Sequence, residues 1–199
     1  REARGIEFAF PALFARLGDE YERRYGLREE HLLRIAEINF ANARRNPWAQ
    51  TRGWFEAATQ GEELRAGKYD RPVAGRLRVR DCSQITDGAA GFVLASARFA
   101  RTWAARRGVS LDEVPRILGW GHHTAPMAWE TKMAESREDP YVLPHTRRAI
   151  EDAFERAGVA DVWGVQAIET HDCFTTSEYM AIDHLGGSAT TSVAMVIGR

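Results

Sequence analysis

The stretch Ile168-Glu169-Thr170-His171-Asp172-Cys173-Phe174-Thr175-Thr176-Ser177-Glu178-Tyr179 carries an apolar strand pattern into a group of reactive side chains and then into a helix. Residues 165–169 read as a short apolar strand. Residues 175–185 read as a helix with Glu178 in its first turn, where the helix dipole favours a negative charge. His171 and Cys173 lie two residues apart at the carboxyl end of that strand. Alternate strand residues share a face, so both are expected to face one pocket. Strand-end loops of α/β folds are where such groups are presented to ligands. The residues alone leave a second reading open, with His171 a hydrogen-bonded structural residue and Cys173 a small buried hydrophobe.

Working outward, residues 144–157 predict an amphipathic helix with Ala149, Ile150, Ala153, Phe154 and Ala157 inward, stopped by Gly158. Residues 91–95 and 114–120 are strand candidates, separated by a helix over 97–107 that ends at Gly108. Residues 192–197 are β-branched and apolar and predict a final strand. Strand and helix alternate through this half, which argues for an α/β layered architecture. The second strand candidate runs into Gly121-His122-His123-Thr124-Ala125-Pro126. Neighbouring strand residues point to opposite faces, so the two histidines are not expected to share a metal.

The first 76 residues have a different texture. Residues 5–25 predict a helix with Pro11 in its first turn, Leu13, Phe14, Leu17 and Tyr21 at helical spacing, and Gly26 closing it. A second helix is predicted over 28–42, with Leu32, Ile35, Ala36 and Phe40 on one stripe. From 43 to 76 the periodicity disappears, and 44–54 is rich in Arg, Trp, Asn and turn formers. Loops of this length are binding or interface segments, or else disordered, and the two tryptophans, Trp48 and Trp54, favour order. Clustered Arg and Trp suit a phosphate-bearing or aromatic ligand, and a subunit contact accounts for them somewhat better. Residues 77–81 form a short alternating segment before Cys82.

Composition narrows the function classes. With 27 Lys plus Arg against 28 Asp plus Glu, there is no electrostatic footprint for nucleic acid or an anionic membrane. Two cysteines, Cys82 and Cys173, make neither a disulfide framework nor a C-x-x-C metal pattern, which favours a reducing, cytoplasmic setting. No apolar run approaches the roughly 20 residues of a membrane-spanning helix, and no signal peptide is recognisable. Arg1 opens the chain without a methionine and leads at once into helix-compatible sequence, which points to sequence upstream of it.

Five segments resemble one family in its own order: Tyr-Glu-Arg-Arg-Tyr-Gly-Leu at 21–27, residues 46–53, Asp-Cys-Ser-Gln-Ile-Thr-Asp-Gly-Ala-Ala at 81–90, residues 158–174 and residues 178–186. The family is the thiolases, in the sterol-carrier-protein-type or lipid-transfer branch that includes acetyl-CoA acetyltransferases. His171-Asp172-Cys173-Phe174 resembles that branch's signature tetrapeptide.

The resemblance implies an α/β thiolase fold, layered αβαβα and incomplete here, with a mainly helical loop domain. Residues 1–76 would be the loop region covering the acyl-CoA, and 77–199 a partial core made mostly of second-half elements. It implies carbon–carbon bond formation or cleavage between coenzyme A thioesters, with no permanently bound cofactor and no metal. His171 matches the family's donor to the thioester oxygen of the second acyl-CoA, and Cys173 matches the acid/base. A preorganised donor contributes most where charge develops, and a thiol near its ordinary pKa of about 8.5 exchanges protons after a modest shift. Asp172 is expected to be structural, Phe174 to pack, and Cys82 to be structural. The resemblance further implies a homo-oligomer and a small OB-fold acyl-CoA-binding partner.

Two departures accompany it. The segment that carries the family's acylated cysteine lies before the position matching Arg1, and no Gly-His-Pro occurs in the sequence. These 199 residues by themselves are therefore expected not to complete a thiolase cycle. The alternatives are a non-catalytic thiolase-like protein that binds acyl-CoA or a partner, or a thiolase-fold lyase making a retro-aldol cleavage of a steroid side-chain CoA ester. The intact tetrapeptide counts against the lyase.

Overall fold

A computed structural model describes residues 4–55 and 60–187 of the chain. Helix α1 spans Ala9–Tyr25 and α2 spans Glu29–Arg45. Pro11 sits in the first turn of α1, and Gly26, at φ 77°, supplies the backbone conformation that ends it. α2 places Glu29 and Glu30 at its amino end and Arg44 and Arg45 at its carboxyl end, in accord with the helix dipole. It runs three residues further than its pattern predicts. Arg44 donates to the Phe55 carbonyl at 2.7 Å, which anchors the last turn until Pro47 forbids continuation.

The segment expected as a loop over 43–76 is more structured than its sequence indicates. It contains a 3-10 turn at Gln50–Gly53, helix α3 at Gln60–Arg65, a second 3-10 turn at Gly67–Tyr69 and strand β1 at Pro72–Ala74. β1 pairs antiparallel with β2, Leu77–Arg78. Aromatic packing holds this region together. The Phe55 ring lies 4.5 Å from Tyr69 and 4.8 Å from Phe40 between centroids, over a small core of Leu33, Phe55, Leu64 and Tyr69. The elements are too short to show a period, which is why the pattern missed them.

Helix α4 covers Ala97–Arg107, α5 Trp129–Glu135, α6 Pro144–Ala157 and α7 Thr175–His184. α4 and α6 follow their predicted bounds. Ser96 caps α4 through the Phe99 amide at 3.3 Å, and Pro144 occupies the first turn of α6. Gly108 and Gly158, both left-handed, close them. The main core is helical: Leu17 and Tyr21 from α1, Leu32 and Ile35 from α2, and Tyr179 and Met180 from α7, with Val142 beside them. Tyr21 and Tyr179 meet edge to face at 5.4 Å, and burial together with Asp183 raises the Tyr21 phenol pKa. One core thus joins residues from both sides of position 76.

The expected strands at 91–95, 114–120 and 165–169 are not strands in the structure. Apart from the β1–β2 pair, the bridging recorded among the described residues is one isolated antiparallel bridge, Cys82 to Phe174. A strand exists only through a neighbour about 4.8 Å away, and the described residues bring none alongside these segments. Their apolar side chains stay in solvent, with Val93 91% and Ile117 66% exposed. The described residues therefore form a mixed, helix-rich fold with one small two-stranded sheet, compatible with the α/β class. The predicted strand at 192–197 lies outside the described residues. No helix among the described residues is long and apolar enough to cross a membrane.

Candidate functional site

The tetrapeptide 171–174 forms a turn at the head of α7, fixed by the segment around Cys82. The Ser83 amide donates to the Cys173 carbonyl at 3.0 Å, next to the Cys82–Phe174 bridge. Phe174 is buried with Ala15 and Leu77 and packs on Phe14 at 4.7 Å between ring centroids, so it packs as expected. Thr175 Oγ1 donates to Asp81 Oδ1 at 2.9 Å, while Asp81 Oδ2 accepts from the Arg78 amide at 2.8 Å. Burial raises the Asp81 carboxyl above its ordinary range, against the hydrogen bonds that favour its charge.

Asp172 is engaged from α2. Asn39 on α2 aims a single amide nitrogen, Nδ2, at two carboxyls, 2.5 Å from Asp172 Oδ2 and 2.7 Å from Glu178 Oε2. Burial first, then the neighbouring Glu178, push the Asp172 carboxyl up to about 7. Its other oxygen, Oδ1, is buried with no partner among the described residues. Asp172 is thus anchored to α2 through Asn39. Glu178 is buried in this cluster as well as lying in the first turn of α7.

His171 and Cys173 differ in their surroundings. His171 is exposed, whereas Cys173 is half-buried against the Phe174 cluster, with its Sγ 3.6 Å from Ser177 Oγ. Because residues 170–172 are not part of a ladder, strand alternation does not set their directions. A cavity of about 590 Å³ opens beside the turn, lined by Asn39, Trp163, Ile168, Thr170, Asp172 and Glu178 among others. A smaller cleft of about 150 Å³ lies on the other side, lined by Phe40, Trp54, Arg80, Cys82, Asp172 and Thr175 among others. Neither His171 nor Cys173 lines either cavity. Trp54 places part of the Arg/Trp-rich segment at the smaller cleft, while Trp48 is 89% exposed.

Cys82 is half-buried, its thiol donates to the Arg78 carbonyl at 3.3 Å, and burial pushes its pKa up to about 12. A thiol so disfavoured as thiolate is a poor nucleophile. His122 and His123 lie in the exposed segment before α5, where His123 Nε2 stands 3.2 Å from Asp152 Oδ2. No group of three or more His, Cys, Asp or Glu side chains that could hold a metal converges among the described residues.

Sequence reasoning missed Asn39, Asp81 and Glu178 as parts of this site. Asn39 had left a signal. It continues the apolar stripe of Leu32, Ile35 and Ala36 at helical spacing, so a polar amide stands where α2 faces the core. A buried amide needs partners, and here it finds two carboxyls.

No family model matches the chain. It is similar to the "Acetyl-CoA acetyltransferase" of Methanothermobacter thermautotrophicus, 29% identical over 177 residues, covering 89% of this chain and 41% of that protein. The protein of the same name from Methanocaldococcus jannaschii matches with the same identity and coverage. "Sterol carrier protein 2" of Gallus gallus is 27% identical over 176 residues, covering 88% of this chain and 29% of that protein. The chain therefore spans less than half the length of the curated relatives it matches. Both kinds of relative align along nearly the whole of this chain, which supports kinship with the thiolase family in its sterol-carrier-protein-type branch.

Proposed function

We propose that the chain contributes the acid/base half of a thiolase-like acyl-CoA C-acyltransferase, with a coenzyme A thioester as substrate and the layered thiolase fold as its full architecture. The observation that carries this reading is the similarity to two proteins named acetyl-CoA acetyltransferase across 89% of the chain, a span that includes the His171–Phe174 turn. In this reading His171, exposed on the turn, donates to the thioester oxygen as enolate charge develops. Cys173 moves the proton at the substrate's α-carbon. Its place beside the Ser177 hydroxyl gives the thiol a polar neighbour in an otherwise apolar setting.

Acyl capture needs a nucleophile, and Cys82, shielded and held as a thiol, is not suited to it. That observation favours one second reading, in which the chain binds acyl-CoA without turning it over. Thiolysis of acetoacetyl-CoA by free coenzyme A, measured on the protein as its gene encodes it, separates the two. Turnover that falls by about 100-fold or more in both His171→Ala and Cys173→Ala supports the enzymatic reading. Unchanged turnover in either variant refutes that residue's role. Acetyl-CoA binding with no turnover supports the second reading.

A further inference from the structure

We propose that Asn39 and Glu178 are positioning residues which, with Asp172, clamp the His171–Cys173 turn between α2 and α7 by sharing one proton between two carboxyls. The roles of His171 and Cys173 in this proposal rest on the reading above; the clamp itself rests on geometry. Asp172 sits between the two proposed catalytic residues, so whatever fixes its carboxyl also limits its neighbours. Asn39 belongs to α2 and Glu178 to the first turn of α7, and both meet Asp172 through the one Asn39 nitrogen at 2.5 and 2.7 Å. Two carboxyl oxygens converging on one donor in a largely dry place cannot both carry charge cheaply. A single proton held between them removes the repulsion and leaves Asn39 to bridge the pair. The upward push on the Asp172 carboxyl agrees with this arrangement.

The charges around the pair reinforce it. Asp81, on the 3-10 turn Val79–Asp81, adds to the negative field at Asp172. Glu169 lines the same cavity, and no basic residue is among the residues that line it. Arg80, the basic residue lining the adjoining cleft, is engaged by Glu29, Asp70 and the Leu64 carbonyl. From α2, Asn39 offers a neutral donor, and His171 next in sequence is exposed. Loss of the shared proton therefore leaves two uncompensated carboxylates side by side. Their repulsion loosens the turn and uncovers Cys173.

Alkylation of the 199-residue chain with iodoacetamide tests this, read separately at Cys82 and Cys173 by peptide mass spectrometry from about pH 5.5 to about pH 8.5. Wild type is expected to label at Cys173 with a rise about threefold to tenfold beyond thiolate titration as the pair ionises. Glu178→Gln keeps a donor beside Asp172 at every pH, so its Cys173 profile is expected to follow thiolate titration alone. Asn39→Ala removes the bridge and is expected to label faster throughout, without the extra step. Identical pH profiles for wild type and Glu178→Gln overturn the proposal, whether or not Asn39→Ala folds. Labelling needs no substrate, so failure of the clamp and failure of the thiolase reading are separate results: the first appears in these profiles, the second in the thiolysis assay.

Discussion

The core of α1, α2 and α7 and the extended segments around residues 91–95 and 114–120 are both rich in apolar side chains, yet only the first is closed. Met180 is fully buried and Leu32 is 3% exposed, whereas Phe92 is 84% and Leu118 62% exposed. The difference follows from how each kind of backbone is satisfied. A helix pairs its own N–H and C=O groups, so one apolar stripe and one neighbouring helix suffice to bury it. A strand leaves its backbone groups for others to pair, and among the described residues 84–95 make no backbone hydrogen bond. Hydrophobic content alone does not decide burial; the availability of ladder partners does.

The largest expected contrast is between truncations in the two regions. Met180→Ala should cost about 2–5 kcal/mol of unfolding free energy in urea titrations, because it leaves a cavity where three helices meet. Phe92→Ala should change it by less than about 0.5 kcal/mol. Equal losses would break the distinction.

Next in size is the acid pair at the edge of the closed region. The Asp172 carboxyl is raised from 3.8 to about 7, so the stability its protonated form contributes is complete below about pH 4 and is lost as pH rises through about 7. Asp172→Asn cannot lose that proton. Relative to wild type, it should gain roughly 1–3 kcal/mol at pH 8 over its value at pH 4. A difference that does not vary with pH would show that the pair is not strained by charge.

A smaller effect is expected at Gly18, where α1 meets α7. A Cβ there would lie 2.9 Å from the buried Thr176 methyl, Cγ2. The gain in helix propensity offsets part of that clash, leaving Gly18→Ala about 1 kcal/mol less stable than wild type in thermal melts. The smallest effect on stability belongs to Val93→Ser in the open region. It should leave the melting temperature within error but lower the binding of a hydrophobic dye.

The same contrast separates what the sequence revealed from what it concealed. α4 and α6 were legible to the residue because Ser96, Gly108, Pro144 and Gly158 mark their ends with local chemistry. The α7 helix was legible without such caps, its start following directly on the tetrapeptide. The strands were not, because apolar runs at 91–95 and 114–120 specify a preference and not the partner that realises it. Within the site, the packing of Phe174 was foreseeable. The different exposure of His171 and Cys173 was not, because strand alternation does not apply where residues 171 and 172 join no ladder. The Asn39 bridge depends on two helices meeting across 139 residues of sequence, a relation no local pattern carries.

The most direct test of the turn as an acid/base site isolates the half-reaction assigned to it. Acetyl-CoA incubated with the 199-residue chain in deuterium oxide reports proton exchange at the methyl carbon, a step that needs no acylated nucleophile. Wild type is expected to catalyse this exchange, with Cys173→Ala reducing it by about 100-fold or more and His171→Ala by a similar factor. Exchange that is equally fast in wild type and in Cys173→Ala would contradict the assignment.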